Sequence, residues 1–161
     1  MTKNALIFFA ASGSAALLAG AFLFQAFGYP PCAMCLWQRW PHVAAIIIGM
    51  LALMLTRSPL NRFLPWLGAA AAAVTSGLGL YHTGVERDWW EGPASCTGAG
   101  GGLGGLNASD LLSLDGPRLI LCDEVSWQLF GLSMASWNML FSAVLVLVWV
   151  LAAKRGQIAA K

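Results

Sequence analysis

Charge is scarce in this sequence. Charged residues make up 10% of the 161 positions, against ~25% in a typical soluble domain. Apolar residues make up 58%, and 18 glycines come on top of that. A soluble globule of this length needs far more polar surface to cover itself, and a disordered chain cannot be this apolar. Excess basic charge is missing too. Nine Lys and Arg against seven acidic residues leave +2, short of the basic footprint that nucleic-acid binding requires. Whole stretches, 4–38 and 125–153, hold no charged residue at all. What remains is a protein of the lipid bilayer.

Four apolar runs are long enough to cross a membrane, at about 5–27, 36–56, 63–82 and 132–153. Each supplies the ~20 residues that a ~30 Å hydrocarbon core asks of a helix. Backbone groups in lipid must bond within their own segment, so helices are expected. The sequence therefore predicts an all-α membrane protein. It would be a four-transmembrane-helix bundle, one integral membrane domain over 1–161, with two extracytoplasmic loops at about 28–35 and 83–131. Small residues inside the runs (Ala16 and Gly20, Ala69–Ala73, Gly77 and Gly79) suit close helix packing.

One side of such a bundle has no acid. With four spans, both termini share a side with the connection around 57–62, and that side carries Lys3, Arg57, Arg62, Lys154, Arg155 and Lys161. All seven acidic residues fall on the other side, together with Arg39, Arg87 and Arg118. A basic excess marks the cytoplasmic face, so both termini are expected in the cytoplasm and both loops outside it. A cleaved signal peptide over the first run competes with this reading. Its apolar stretch, however, exceeds the ~7–15 residues of a signal core, and no small-x-small cleavage site follows.

The long outer loop contains a glycine tract, Thr97–Gly105, which reads as a tether. The tract lacks the Lys-Ser/Thr that would follow in a phosphate loop, so nucleotide binding is excluded there. Beyond it, leucines interleave with Asp110, Asp115 and Arg118 as in a short amphipathic segment lying at the membrane interface, ended by Gly116-Pro117. Trp89, Trp90, Trp127 and Trp137 flank this region as an interfacial aromatic belt would.

Cysteines number only four, and all of them fall on the outer side. Cys32 and Cys35 form a C-A-M-C motif directly before the second run, while Cys96 and Cys122 stand alone in the long loop. A second C-x-x-C is missing, which argues against a zinc ribbon. Of the three possible pairings, Cys32–Cys35 with Cys96–Cys122 is the simplest resting state outside the cytoplasm. A structural staple suits Cys96–Cys122. It suits Cys32–Cys35 poorly, because so short a loop removes little chain entropy. Redox exchange is the better reading for that pair. Arg39 lies one helical turn after Cys35, and a helix leaving the Pro30-Pro31 turn aims its N-terminal dipole at the sulfurs, both of which favour thiolate. Arg39 could also simply snorkel to the headgroups. Pro41 either delays the helix or kinks it. His82 ends the third run near the depth of Arg39, as an interfacial packing residue or as a hydrogen-bond partner for something bound in the outer leaflet. His42, one turn further into the second run, has a lesser claim.

Taken together, P-C-A-M-C-L-W-Q-R at Pro31–Arg39, L-Y-H-T at Leu80–Thr83, the single Cys96, and C-D-E-V-S-W-Q-L-F-G-L-S-M at Cys122–Met134 resemble the DsbB family. The resemblance covers all four runs and all four cysteines. It implies a multi-pass protein of the bacterial inner membrane, its cysteines periplasmic, that reoxidises a DsbA-like periplasmic thiol oxidase and passes the electrons to a membrane quinone, ubiquinone or menaquinone. It implies further that Cys96 is attacked by the soluble oxidase, that Cys122 exchanges with Cys32, and that Cys35 meets the quinone with Arg39 holding a quinone oxygen. His82 and Trp127 match a histidine and a tryptophan of the family's quinone pocket. The chain departs from the family at its glycine tract, where a stiffer, more aromatic segment is expected.

Energetics call for an external oxidant. DsbA itself is known to sit at about −120 mV and structural disulfides below about −300 mV, a gap of about 8 kcal/mol for two electrons. A merely structural bridge could not drive such a partner, whereas a quinone dissolved in the membrane could. Three other readings stay open: a relative of the vitamin-K-epoxide reductases, a DsbB paralogue with a dedicated partner, and a non-catalytic membrane scaffold stapled by two disulfides. In the first of these the C-x-x-C sits in a late span rather than before the second.

Overall fold

The computed structural model describes residues 1–93, 96 and 121–158. Four long helices dominate: α1 (Lys3–Ala26), α2 (Ala33–Met54), α3 (Leu64–Glu86) and α4 (Met134–Ile158). A 3-10 turn, Pro59–Arg62, links α2 to α3, and a small hairpin of β1 (Gln128–Leu129) and β2 (Leu132–Ser133) leads into α4. Helix α1 packs on α2 and α4, and α3 packs on the same two, which closes a ring in chain order. The glycine tract 97–105 and the expected amphipathic segment 106–120 lie outside the described residues.

Three helices, α1, α3 and α4, are long and apolar enough to cross a membrane. Helix α2 is more polar, because Gln38, Arg39, Pro41 and His42 crowd its first half. The helices also outrun the apolar stretches that announce them. Helix α2 starts a turn early, at Ala33, because Cys32 caps it: the Cys32 sulfur accepts from the Cys35 N–H at 3.3 Å. Helix α3 continues to Glu86 because His82, Thr83 and Glu86 find partners inside the bundle. Pro41 does not delay α2 but lies within it. Proline removes a helical N–H, and nearby hydroxyls can take up the loosened carbonyls. The carbonyl that loses its donor is that of Trp37; Thr75 Oγ1 donates to the next one along, that of Gln38, at 3.1 Å.

The two ends of the bundle differ. At one end Lys3 Nζ reaches the Asn61 carbonyl at 2.9 Å, and Gly156 lies beside Lys3. The start of α1, the 3-10 turn and the end of α4 thus meet there. The core near this end is apolar: Ile7, Ala10, Ala52, Leu64 and Ala72 pack in one cluster with a fully buried Trp149. Helix α3 can pass that ring only because residue 68 is glycine, since a Cβ there would sit 2.6 Å from the indole. Farther along, Gly79 lets α3 approach the α4 backbone, where a Cβ would lie 3.0 Å from the Met139 nitrogen. Gly20 and Gly77 meet nothing within 4 Å in the same sense, so they are not packing glycines.

The other end gathers the α1–α2 connection, the end of α3 and the hairpin, with Arg87 donating to the Gly131 carbonyl at 3.2 Å. Its aromatics pair with one another. Trp127 tilts onto Phe24, Trp90 stacks on Tyr81 and donates to its carbonyl, and Trp137 stacks on Phe141.

Candidate functional site

All four cysteines meet at this second end. Cys96 and Cys122 form a disulfide with Cα atoms 5.2 Å apart, and both residues are buried. Cys32 and Cys35 are free thiols with sulfurs 3.0 Å apart. The Cys32 sulfur, the Cys122 sulfur and a ring nitrogen of His82 all lie within 4.8 Å of one another. With Cys122 committed to its disulfide, that trio sets a free thiol and an imidazole against a disulfide rather than offering three metal ligands.

The Cys32 thiol is held well below its ordinary value, first by the hydrogen bond with Cys35. Burial opposes this, and His82 and the Cys35 N–H add to the lowering. The sequence argument from the α2 N-terminus looked to Cys35 for a thiolate; the same helix end offers its N–H to Cys32. A sulfur at a helix N-cap, with hydrogen-bond donors around it, is in the setting that activates thiols.

His82 is oriented by residues that the sequence did not single out. Asn138 Nδ2 donates to Gln38 Oε1 at 2.7 Å, which turns the Gln38 amide nitrogen the other way. That nitrogen donates to the Met34 carbonyl and, at 2.9 Å, to His82 Nδ1. With Nδ1 accepting, the ring proton of neutral His82 sits on Nε2. It faces Cys32 Sγ at 3.6 Å and Glu86 Oε1 at 3.8 Å. Glu86 in turn accepts a short hydrogen bond from Ser133. A polar thread therefore runs inward from Ser133 through Glu86, His82, Gln38 and Asn138 to His42 and Thr75.

Beside the thread lies a cavity of about 410 Å³. Its wall is mostly apolar, from α1, α4 and the segment before the hairpin, and includes Phe24 and Trp127. Cys35, Arg39 and His42 reach it from α2, on one face at i, i+4 and i+7. Arg39 is drawn toward α1: Nη1 donates to Gln25 Oε1 at 2.9 Å and the guanidinium lies 4.7 Å from the centre of the Phe22 ring. Its buried Nε has no partner among the described residues. Of the residues expected at a quinone pocket, Arg39 and Trp127 line the cavity, while His82 stands at the sulfur junction instead. Gln38, Asn138, Thr75 and Glu86 were missed. The available signal was that an uncharged polar residue facing the interior of a membrane bundle needs a partner.

Such a site fits a quinone by its own chemistry. It is an apolar slot with a thiol on its wall and, nearby, a guanidinium N–H without a partner among the described residues. Thiol–disulfide exchange inside a helical bundle of the membrane is the work of an integral-membrane oxidoreductase of disulfide-bond formation. The family model described as "Disulfide bond formation protein DsbB" matches residues 3–152, and the chain belongs to the DsbB family. It is 29% identical to disulfide bond formation protein B of Pasteurella multocida, over 96% of this chain and 89% of that protein. It is 31% identical to disulfide bond formation protein B 2 of Pseudomonas savastanoi, over 87% and 82%. Disulfide bond formation protein B of Verminephrobacter eiseniae is also 31% identical, over 88% and 80%. No solved structure gives a significant match.

Proposed function

We propose that this chain reoxidises a DsbA-like dithiol oxidase of the periplasm and delivers the electrons to a membrane quinone, ubiquinone or menaquinone. The observation that carries this reading is the sulfur relay. Cys122 lies within 4.8 Å of Cys32, and Cys32 lies 3.0 Å from Cys35, which lines the cavity.

The exchange steps balance. A thiolate of the soluble partner attacks Cys96, breaking its bond to Cys122 and freeing the Cys122 thiolate. Cys122 attacks Cys32 of an oxidised Cys32–Cys35 pair and frees Cys35. The partner's second thiol resolves the mixed disulfide and leaves oxidised, and the released Cys96 re-forms its bond to Cys122, freeing Cys32. Two electrons and two protons then rest on Cys32 and Cys35. A bound quinone supplies the sink, taking up two electrons and two protons as the Cys32–Cys35 disulfide re-forms. His82 Nε2–H steadies Cys32 whenever it leaves as thiolate. Arg39 offers its free N–H to a quinone oxygen, and Trp127 covers the slot.

The four helices then act as four spans of the inner membrane, one domain with both termini in the cytoplasm. The polar first half of α2 is accommodated because its side chains face the thread and the cavity. Purified protein given a reduced DsbA-like oxidase and a short-tail ubiquinone or menaquinone, without oxygen, should form one quinol per partner disulfide. Cys96→Ser should stop consumption of partner thiols while Cys32–Cys35 stays oxidised. Absence of quinol with both quinone classes would end this reading. A reporter fused after Lys161 should behave as cytoplasmic.

A further inference from the structure

Resting on the reading of the cavity as a quinone site, we propose that His42 is its hydrogen-bond acceptor for the reduced ligand. His42 Nδ1 would take the hydroxyl of a hydroquinone, so that the site holds quinol more tightly than quinone.

The neighbours of His42 fix its proton. Thr75 Oγ1 has a single hydrogen, and that hydrogen goes to the Gln38 carbonyl at 3.1 Å. Toward His42 Nε2, 3.2 Å away, the hydroxyl can therefore only accept. Asn138 offers His42 its carbonyl oxygen at 2.9 Å, because its amide nitrogen is engaged by Gln38 and Thr75. Both partners demand a proton on Nε2, and a neutral imidazole protonated there carries a lone pair on Nδ1. His42 is 3% exposed and lines the cavity, and Nδ1 is buried with no partner among the described residues. Buried polar atoms rarely stay unpaired, so an orphan on a residue that lines a cavity points to a ligand group.

The chemistry of that group follows from the sign of the orphan. Arg39 Nε, also buried and without a partner among the described residues, is a donor, and His42 Nδ1 is an acceptor. Quinone carbonyls only accept, and Arg39 can satisfy one of them. They have nothing to give His42. When the Cys32–Cys35 dithiol forms its disulfide and passes two electrons and two protons across, each carbonyl becomes a hydroxyl, and a donor appears. His42 thus favours the product of the electron transfer over its reactant, which draws electrons out of the dithiol.

The test compares binding of short-tail ubiquinone and menaquinone, each oxidised and reduced, to full-length protein with Cys32–Cys35 oxidised. Tryptophan fluorescence is the readout. His42→Gln keeps a polar group where Nε2 meets Asn138 but removes the Nδ1 acceptor. The preference for quinol should fall about tenfold, the effect of one hydrogen bond, with quinone affinity held within about twofold. For two electrons that equals a drop of about 30 mV in the potential of the bound couple. His42→Asn, which retains a polar atom near Nδ1, should keep most of the preference. In the unmodified protein with 15N-labelled histidine, quinol should shift the Nδ1 resonance and leave Nε2 in place, a measurement that needs no variant to fold. An unchanged preference in folded His42→Gln, or a stationary Nδ1 signal at quinol saturation, overturns the role of His42 alone. Protein that binds neither redox form overturns the quinone reading together with it.

Discussion

The two ends of this bundle are built from the same four helices by opposite means. Around Trp149 the packing is shape against shape, with alanine and glycine making room for one large ring. Around His82 the contacts are hydrogen bonds among Gln38, Thr75, Asn138, Glu86 and Ser133. Within lipid, burial itself does little to hold helices together, so tight packing and polar pairs carry the association. Polar pairs between membrane helices contribute only about 0.6 kcal/mol on average, less than a large buried side chain. The apolar end therefore anchors the fold, and the polar end holds the side chains of the thread in fixed orientations.

Cys35→Ala separates the ends most sharply. It should abolish quinol formation while leaving thermal stability near the parent's. In the same variant the Cys32 thiol loses the main cause of its lowered pKa, so its pKa should rise toward the ordinary value of about 8.5. The sign is checkable by thiolate ultraviolet absorbance. The reduced parent should keep its Cys32 thiolate as pH falls to mildly acidic values, and the variant should lose it well above them. A parent that titrates like a free thiol would contradict the assignment.

Trp149→Ala should do the reverse. Removing a fully buried indole costs about 3–5 kcal/mol, read as a lower unfolding temperature, with thiol exchange at Cys96 intact in whatever protein remains folded. Next comes Arg39→Gln, which removes a charged donor worth about 1.5–3 kcal/mol. The apparent KM for quinone should rise roughly 10- to 150-fold, and Arg39→Lys should fall between it and the parent because the planar fork is lost. Unchanged quinone kinetics in Arg39→Gln would reduce Arg39 to a snorkelling anchor. The smallest effects divide two glycines. Gly68→Ala, pressed against Trp149, should cost about 1–3 kcal/mol; Gly77→Ala, with open space around it, should stay within about 0.5 kcal/mol of the parent. Equal effects at the two positions would mean that α3 is rotated from the orientation described.

Much of the fold was legible in the sequence because apolar length and missing charge are properties of single segments. The C-x-x-C and its Arg39 were legible for the same reason. The polar thread was not. Gln38, Thr75 and Asn138 are each ordinary within their own helices, and their meaning arises only when α2, α3 and α4 face one another. Likewise Gly77 and Gly79 look alike in sequence, but helix rotation puts only Gly79 against α4. In sequence His82 reads as an interfacial packing residue or as a hydrogen-bond partner for something in the outer leaflet, and its partners are Cys32, Gln38 and Glu86. Its position near the end of α3 could not say which way its ring would turn.

The Cys32 sulfur also closes the first turn of α2 by accepting the Cys35 N–H. Under the proposed function one atom is thus both a redox participant and the last link of a helix. In the proposed relay, bonding to Cys122 would weaken Cys32 as an acceptor, and the first turn of α2 should loosen; a return to thiolate should tighten it. The amide hydrogen of Cys35 becomes a natural indicator of electron position, exchanging with solvent faster in the Cys32–Cys122 state than in the reduced one. Linkage also runs backwards, so a substitution that frays this turn should shift the dithiol's reduction potential without touching any sulfur.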